Sequence, residues 1–104
     1  MVATATTIVV AYHGDAWIPR CVATLRSSLR GPARLMLVDN AGNTCLDSLD
    51  LDGLDYAVLR CDRPLGFAEA NNFALTRIDY NTEAVCFLNQ DTLSEPGWLD
   101  ACTA

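Results

Sequence analysis

Apolar positions along the chain fall into two alternating patterns. Thr7-Ile8-Val9-Val10-Ala11-Tyr12 is a short, β-branched, nearly continuous apolar run, as in a strand covered on both faces of a parallel sheet. After Gly14-Asp15, the residues Ile18, Cys21, Val22, Leu25 and Leu29 recur at the spacing of a helix facing a core; Asp15 is its expected cap and Gly31-Pro32 its stop. Leu35-Met36-Leu37-Val38 predicts a second strand, closed by the turn formers Asp39-Asn40-Ala41-Gly42-Asn43. Leu46 to Leu54 alternates leucine with aspartate and serine and reads as a loop with room for one helical turn.

Tyr56-Ala57-Val58-Leu59 predicts a third strand, which Asp62-Arg63-Pro64-Leu65-Gly66 must end because proline cannot continue a ladder. A helix is expected to begin at Gly66 or Phe67 and run to Ile78, with Phe67, Ala70, Ala74 and Ile78 on one face. Ala84-Val85-Cys86-Phe87-Leu88 predicts a fourth buried strand, and Ser94-Glu95-Pro96-Gly97-Trp98-Leu99 a helix start with proline in its first turn. Strands alternating with helices imply an α/β fold, a Rossmann-like three-layer α/β/α arrangement around a mostly parallel sheet. Ligands of such sheets sit at the carboxyl ends of the strands. That rule nominates Tyr12-His13-Gly14, Asp39-Asn40, Pro64-Leu65-Gly66 and Asn89-Gln90-Asp91 as one neighbourhood.

Composition narrows the classes. A chain of 104 residues fits a single domain, and 51% apolar with 19% charged residues excludes a disordered chain. A net charge of −6 would repel nucleic acid, yet it suits a site that gathers a divalent cation to hold a diphosphate. The five cysteines form no Cys-x-x-Cys pair and suggest neither zinc nor a disulfide framework, only reduced thiols in a cytoplasmic protein. Cys21 and Cys86 fall in apolar patterns, as small buried hydrophobes do. No apolar stretch is long enough to span a bilayer, and no basic region precedes the first apolar run.

Candidate chemistry gathers where the strands end. Asp39 stands where a strand meets a loop, able to accept hydrogen bonds from a base or ribose or to stabilise its own turn with Asn40. Gly66-Phe67-Ala68-Glu69-Ala70-Asn71-Asn72 sets two asparagines in a helical pattern that disfavours them. One reading brings small residues at a helix start close to an anionic ligand; the other is a loop with a later helix start at Asn71 or Asn72. Asn89-Gln90-Asp91 offers oxygen-bearing side chains of the kind hard cations take, Asp91 being the ionised one. The alternative is a turn built by Asp91-Thr92.

The ordered set Ala11-Tyr12-His13, Leu37-Val38-Asp39-Asn40, Leu65 to Asn72, Phe87-Leu88-Asn89-Gln90-Asp91-Thr92 and Glu95-Pro96-Gly97-Trp98-Leu99 resembles the N-terminal, nucleotide-sugar-binding half of the family 2 glycosyltransferases of the GT-A fold. The resemblance covers nearly the whole chain. It implies that Ala11, Tyr12, His13 and Asp39, with Gly66, Asn71, Asn89 and Gln90, bind the nucleotide sugar. It also implies that Asn89-Gln90-Asp91 stands in for the DXD element, with Asp91 on a Mg²⁺ or Mn²⁺ ion that holds the diphosphate. The implied reaction is inverting hexosyl or deoxyhexosyl transfer from a nucleotide-diphosphate sugar to an acceptor.

Several residues depart from the family pattern. Ala11-Tyr12-His13 replaces Thr-Tyr-Asn and loses a hydroxyl, Pro64 stands where asparagine is common, and Asn89 replaces the first aspartate, as in members resembling deoxysugar transferases. The family's catalytic base, an aspartate in a later Glu-Asp element, is expected beyond residue 104, so residues 1–104 alone are expected not to transfer sugar. An uncovered sheet edge would favour a homodimer. The alternative function is a non-catalytic nucleotide-binding or protein-interaction module of the same fold. A sugar nucleotidylyltransferase is disfavoured, since no glycine-rich basic loop follows the first strand.

Overall fold

The computed structural model describes residues 4–29 and 32–103. Met1 to Ala3 and the glycine of the expected Gly31-Pro32 stop lie outside these residues. The elements run β1 (Ala5–Tyr12), α1 (Ile18–Ser28), β2 (Ala33–Ala41), a 3-10 turn (Leu46–Ser48), β3 (Asp55–Arg60), α2 (Phe67–Leu75), β4 (Ala84–Leu88) and α3 (Trp98–Thr103). The four strands form one all-parallel sheet in the order β3-β2-β1-β4, so the fold is the expected α/β, Rossmann-like arrangement.

Side-chain alternation along the strands sorts the core into two layers. Val9, Ala11, Leu35 and Leu37 face one side, where they pack with Ile18, Cys21, Val22 and Leu25 of α1. Ile8, Val10, Met36 and Val38 face the other, against Ala70 and Ala74 of α2. Chain direction therefore reverses at β1: the crossover through α1 leads to β2 on one side, and the crossover through α2 returns to β4 on the other. A reversal of this kind opens a crevice above the carboxyl ends of the two diverging strands.

Local departures from the sequence pattern have identifiable causes. Asp15 does not cap α1; the cap position is Trp17, with no side-chain cap bond. Its carboxylate instead accepts from the Thr44 amide (2.8 Å), the Thr44 hydroxyl (2.5 Å) and the Cys45 amide (3.0 Å), tying the loop after β1 to the loop after β2. Those bonds, the Thr44 hydroxyl foremost, hold its pKa down at about 2. Helix α2 stops at Leu75, short of Ile78, though Ile78 still packs on the core. Proline and glycine precede α3 without joining it, and Gly97 takes a left-handed φ of 83°.

β4 is not buried on both faces. It is a sheet edge, with its residues half-buried and Phe87 exposed, so Cys86 is only partly covered while Cys21 is fully enclosed, its pKa raised to about 11 by burial. All five cysteines are free. Among the described residues no helix is long and apolar enough to cross a membrane.

Candidate functional site

A cleft of about 610 Å³ lies over the carboxyl ends of β1 and β4, at the point where chain direction reverses. β1 contributes Val10 and Tyr12, the loop after it Trp17, and the loop after β4 Asn89, Gln90 and Asp91. The far wall is the Pro64-Leu65-Gly66 segment with Phe67 at the start of α2.

Three side-chain amides hold these loops in place. Gln90 accepts from the Tyr12 amide (3.0 Å) through Oε1 and donates to the Tyr12 carbonyl (3.0 Å) through Nε2, in effect adding a peptide unit beyond the last β1–β4 pair. Gly14 permits this approach, because a Cβ there would stand 2.5 Å from Gln90 Oε1. Asn40 makes the corresponding pair with Leu65, accepting from its amide (2.8 Å) and donating to its carbonyl (2.9 Å). Asn43 accepts from the Gly14 amide (2.8 Å) and donates to the Ala11 carbonyl (2.7 Å) and to Asp39 Oδ1 (2.9 Å).

A break in register decides which strand-end residue faces the cleft. Ala11 pairs with Asp39, but Tyr12 pairs with Ala41, leaving Asn40 as the extra residue of a bulge. Asn40 lies on the α2 side and lines the cleft. Asp39 shares the α1-side phase of Leu35 and Leu37. Its carboxylate takes Arg60 at 2.6 Å as well as Asn43, and Arg60 also reaches Asp47 at 2.8 Å. With its side chain 17% exposed, Asp39 is bound up in this network and is not among the residues lining the cleft.

Of the residues nominated from sequence, Tyr12, Gly66, Asn89, Gln90 and Asp91 line the cleft together. Ala11 is fully buried and offers its carbonyl to Asn43. His13 has a left-handed φ of 46° and lies outside the cleft, its ring against Gly42, where a Cβ would fall 2.0 Å from Nδ1. Asn71 is buried within α2 and donates to the Phe67 carbonyl at 3.0 Å, so its side-chain nitrogen has a partner within the helix and lies outside the cleft lining. Sequence reasoning missed Trp17 and Phe67 as cleft residues. Phe67 was expected on the core face, but at the first helical position it overhangs the sheet end and is 60% exposed.

Asp91 is the one charged residue among the described residues lining the cleft, and its carboxylate has no hydrogen-bond or ion-pair partner among them. A hard cation binding nucleotide phosphates needs just one or two protein carboxylates, with phosphate and water completing its shell, and an exposed, unpartnered Asp91 beside Asn89 fits that demand. Among the described residues no three His, Cys, Asp or Glu side chains gather to hold a metal by themselves. Gly66 also lines the cleft; its φ is ordinary, and a Cβ there would meet nothing within 4 Å. Among the described residues no contact requires glycine at that point of the cleft wall. No family model matches the chain, and no curated protein matches it significantly.

Proposed function

We propose that the cleft binds a nucleotide-diphosphate sugar and that the chain is the donor-binding part of a family 2-like, inverting glycosyltransferase. One observation carries the reading: five of the residues that the ordered motifs nominate, Tyr12, Gly66, Asn89, Gln90 and Asp91, come from three separate segments, the end of β1, the loop before α2 and the loop after β4, to line one cleft at the reversal point of a parallel sheet. In this reading Asp91, with Asn89 beside it, holds Mg²⁺ or Mn²⁺, and the bound ion offsets the negative charge of the departing diphosphate. Gln90 fixes the Tyr12 backbone at the cleft rim. Gly66 leaves room for the ligand at the wall, and the Asn40–Leu65 pair sets the position of that wall. Asp39 and His13 support the loops, and a nucleotide reaching Asp39 would have to compete with Arg60.

Calorimetric titration of a nucleotide-diphosphate sugar with Mn²⁺ tests the reading. Binding should require the metal, and Asp91→Ala should weaken it by at least about tenfold, as expected for loss of a charge-assisted contact. Metal-independent binding, or an Asp91→Ala variant with unchanged affinity, would overturn the assignment. The exposed Phe87 on the free β4 edge supports a homodimer through that strand; a concentration-independent monomer in light scattering would exclude it.

A further inference from the structure

The cleft's polar floor is largely spent on the protein itself. Gln90 and Asn40 each turn both ends of their carboxamides to backbone groups, leaving Asn89, Asp91 and the Tyr12 hydroxyl as its uncommitted polar groups among the described residues. What the cleft offers in excess is aromatic surface: Tyr12 and Trp17 are each 49% exposed and Phe67 60% exposed, and all three line it, Tyr12 at the end of β1 and the other two, Trp17 and Phe67, at helix starts. These two rings arrive from opposite sides of the sheet. Trp17 immediately precedes α1, which packs on one face, and Phe67 begins α2, which packs on the other. Neither ring belongs to a core cluster. Large aromatic side chains left half in water and converging on a single concavity are suited to taking up the flat face of a ring.

We infer that Trp17 and Phe67 are the two opposed aromatic walls of the cleft and hold the flat apolar face of a ligand ring, a nucleobase or a pyranose, while Asp91 meets the charged end. The inference rests on the donor-site reading for the identity of the ligand, but not for the presence of the ring. It makes these two residues determinants of ring recognition, separate from the carboxylate at Asp91.

The test compares wild type, Trp17→Ala, Trp17→Phe and Phe67→Ala by calorimetry with UDP and with UDP-glucose, each with Mn²⁺, after thermal melts have verified folding. Trp17→Ala and Phe67→Ala should each lose about tenfold in affinity, the scale of one stacked ring, while Trp17→Phe should recover most of the loss because it restores an aromatic face. Loss with UDP as well as UDP-glucose assigns the walls to the base; loss with UDP-glucose alone assigns them to the sugar. Unchanged affinity in both alanine variants would overturn the inference and leave the donor reading intact. Saturation-transfer NMR with uridine and methyl glucoside separates the remaining cases. If UDP-glucose fails to bind wild type but either ring compound contacts wild type and not Trp17→Ala, the donor reading falls and the aromatic walls stand. If no ring-bearing compound binds wild type, both fall.

Discussion

The exits of β2 and β4 lie at the same end of the sheet, and they use polar residues in opposite ways. At the β2 exit, Asp39, Asn43 and Arg60 are committed to one another and to the backbone of neighbouring loops. At the β4 exit, Gln90 alone is committed, while Asn89 and Asp91 line the cleft without side-chain partners among the described residues. Two aspartates in equivalent-looking places at strand ends therefore differ in kind: one closes a loop and the other is available to a ligand. Position at a strand end does not by itself leave a group available; the side chain's phase and partners decide that.

That contrast can be broken by substitution. The largest effect on stability is expected from Asn43→Ala, which leaves the Gly14 amide and Ala11 carbonyl without their partner; urea unfolding should show a loss of about 3 kcal/mol, the range for buried backbone groups deprived of hydrogen bonds. Asp39→Ala should cost less, about 1 kcal/mol, because the Arg60 guanidinium it releases is more than half exposed and can be solvated. Asp91→Ala should alter stability by no more than about 0.5 kcal/mol while removing ligand affinity. An Asp91 variant as unstable as Asn43→Ala would erase the distinction between the two exits.

A buried polar group with no partner sharpens the comparison from the other side. Thr7 is fully enclosed, and its hydroxyl has no hydrogen-bond partner among the described residues. Thr7→Val keeps the shape and removes the unmatched oxygen, so a gain of up to about 1 kcal/mol is expected in thermal or urea unfolding.

The smallest effect is acid dependence through Asp15. Its pKa is lowered from 3.8 to about 2 in the folded chain, so the stabilisation is present above the ordinary carboxylate pKa and is lost as pH falls from about 3.8 toward about 2. Asp15→Asn should remove that part of the decline, visible as a flatter difference curve between variant and wild type. An identical acid profile in the two proteins would show that the Thr44 and Cys45 bonds do not hold the charge.

Much of the fold was legible because repetition announces it. The apolar runs at Ile8–Val10 and Leu35–Val38 and the helical spacing of Ile18, Cys21, Val22 and Leu25 describe elements whose faces must be covered, and the structure covers them. The edge character of β4 was not legible, since a run such as Ala84–Leu88 looks the same whether one or two strands flank it. Within the site, the segments that meet were readable as strand ends followed by turn formers. The two aromatic residues were not, because Phe67 fitted the apolar face of a helix and Trp17, just ahead of α1, belonged to no periodic pattern or strand-end motif.

The sequence by itself determined the alternation of strands and helices, the acidic balance and the order of the loops that could carry chemistry, because these follow from local periodicity and composition. Tertiary structure alone decided that Asn40, not Asp39, faces the cleft and that Gln90 and Asn43 serve the backbone. It also decided that Asp91, without a hydrogen-bond or ion-pair partner among the described residues, lines the same cleft as Trp17 and Phe67. Those outcomes depend on a one-residue break in register and on hydrogen bonds between residues up to 78 positions apart, and no local pattern encodes either.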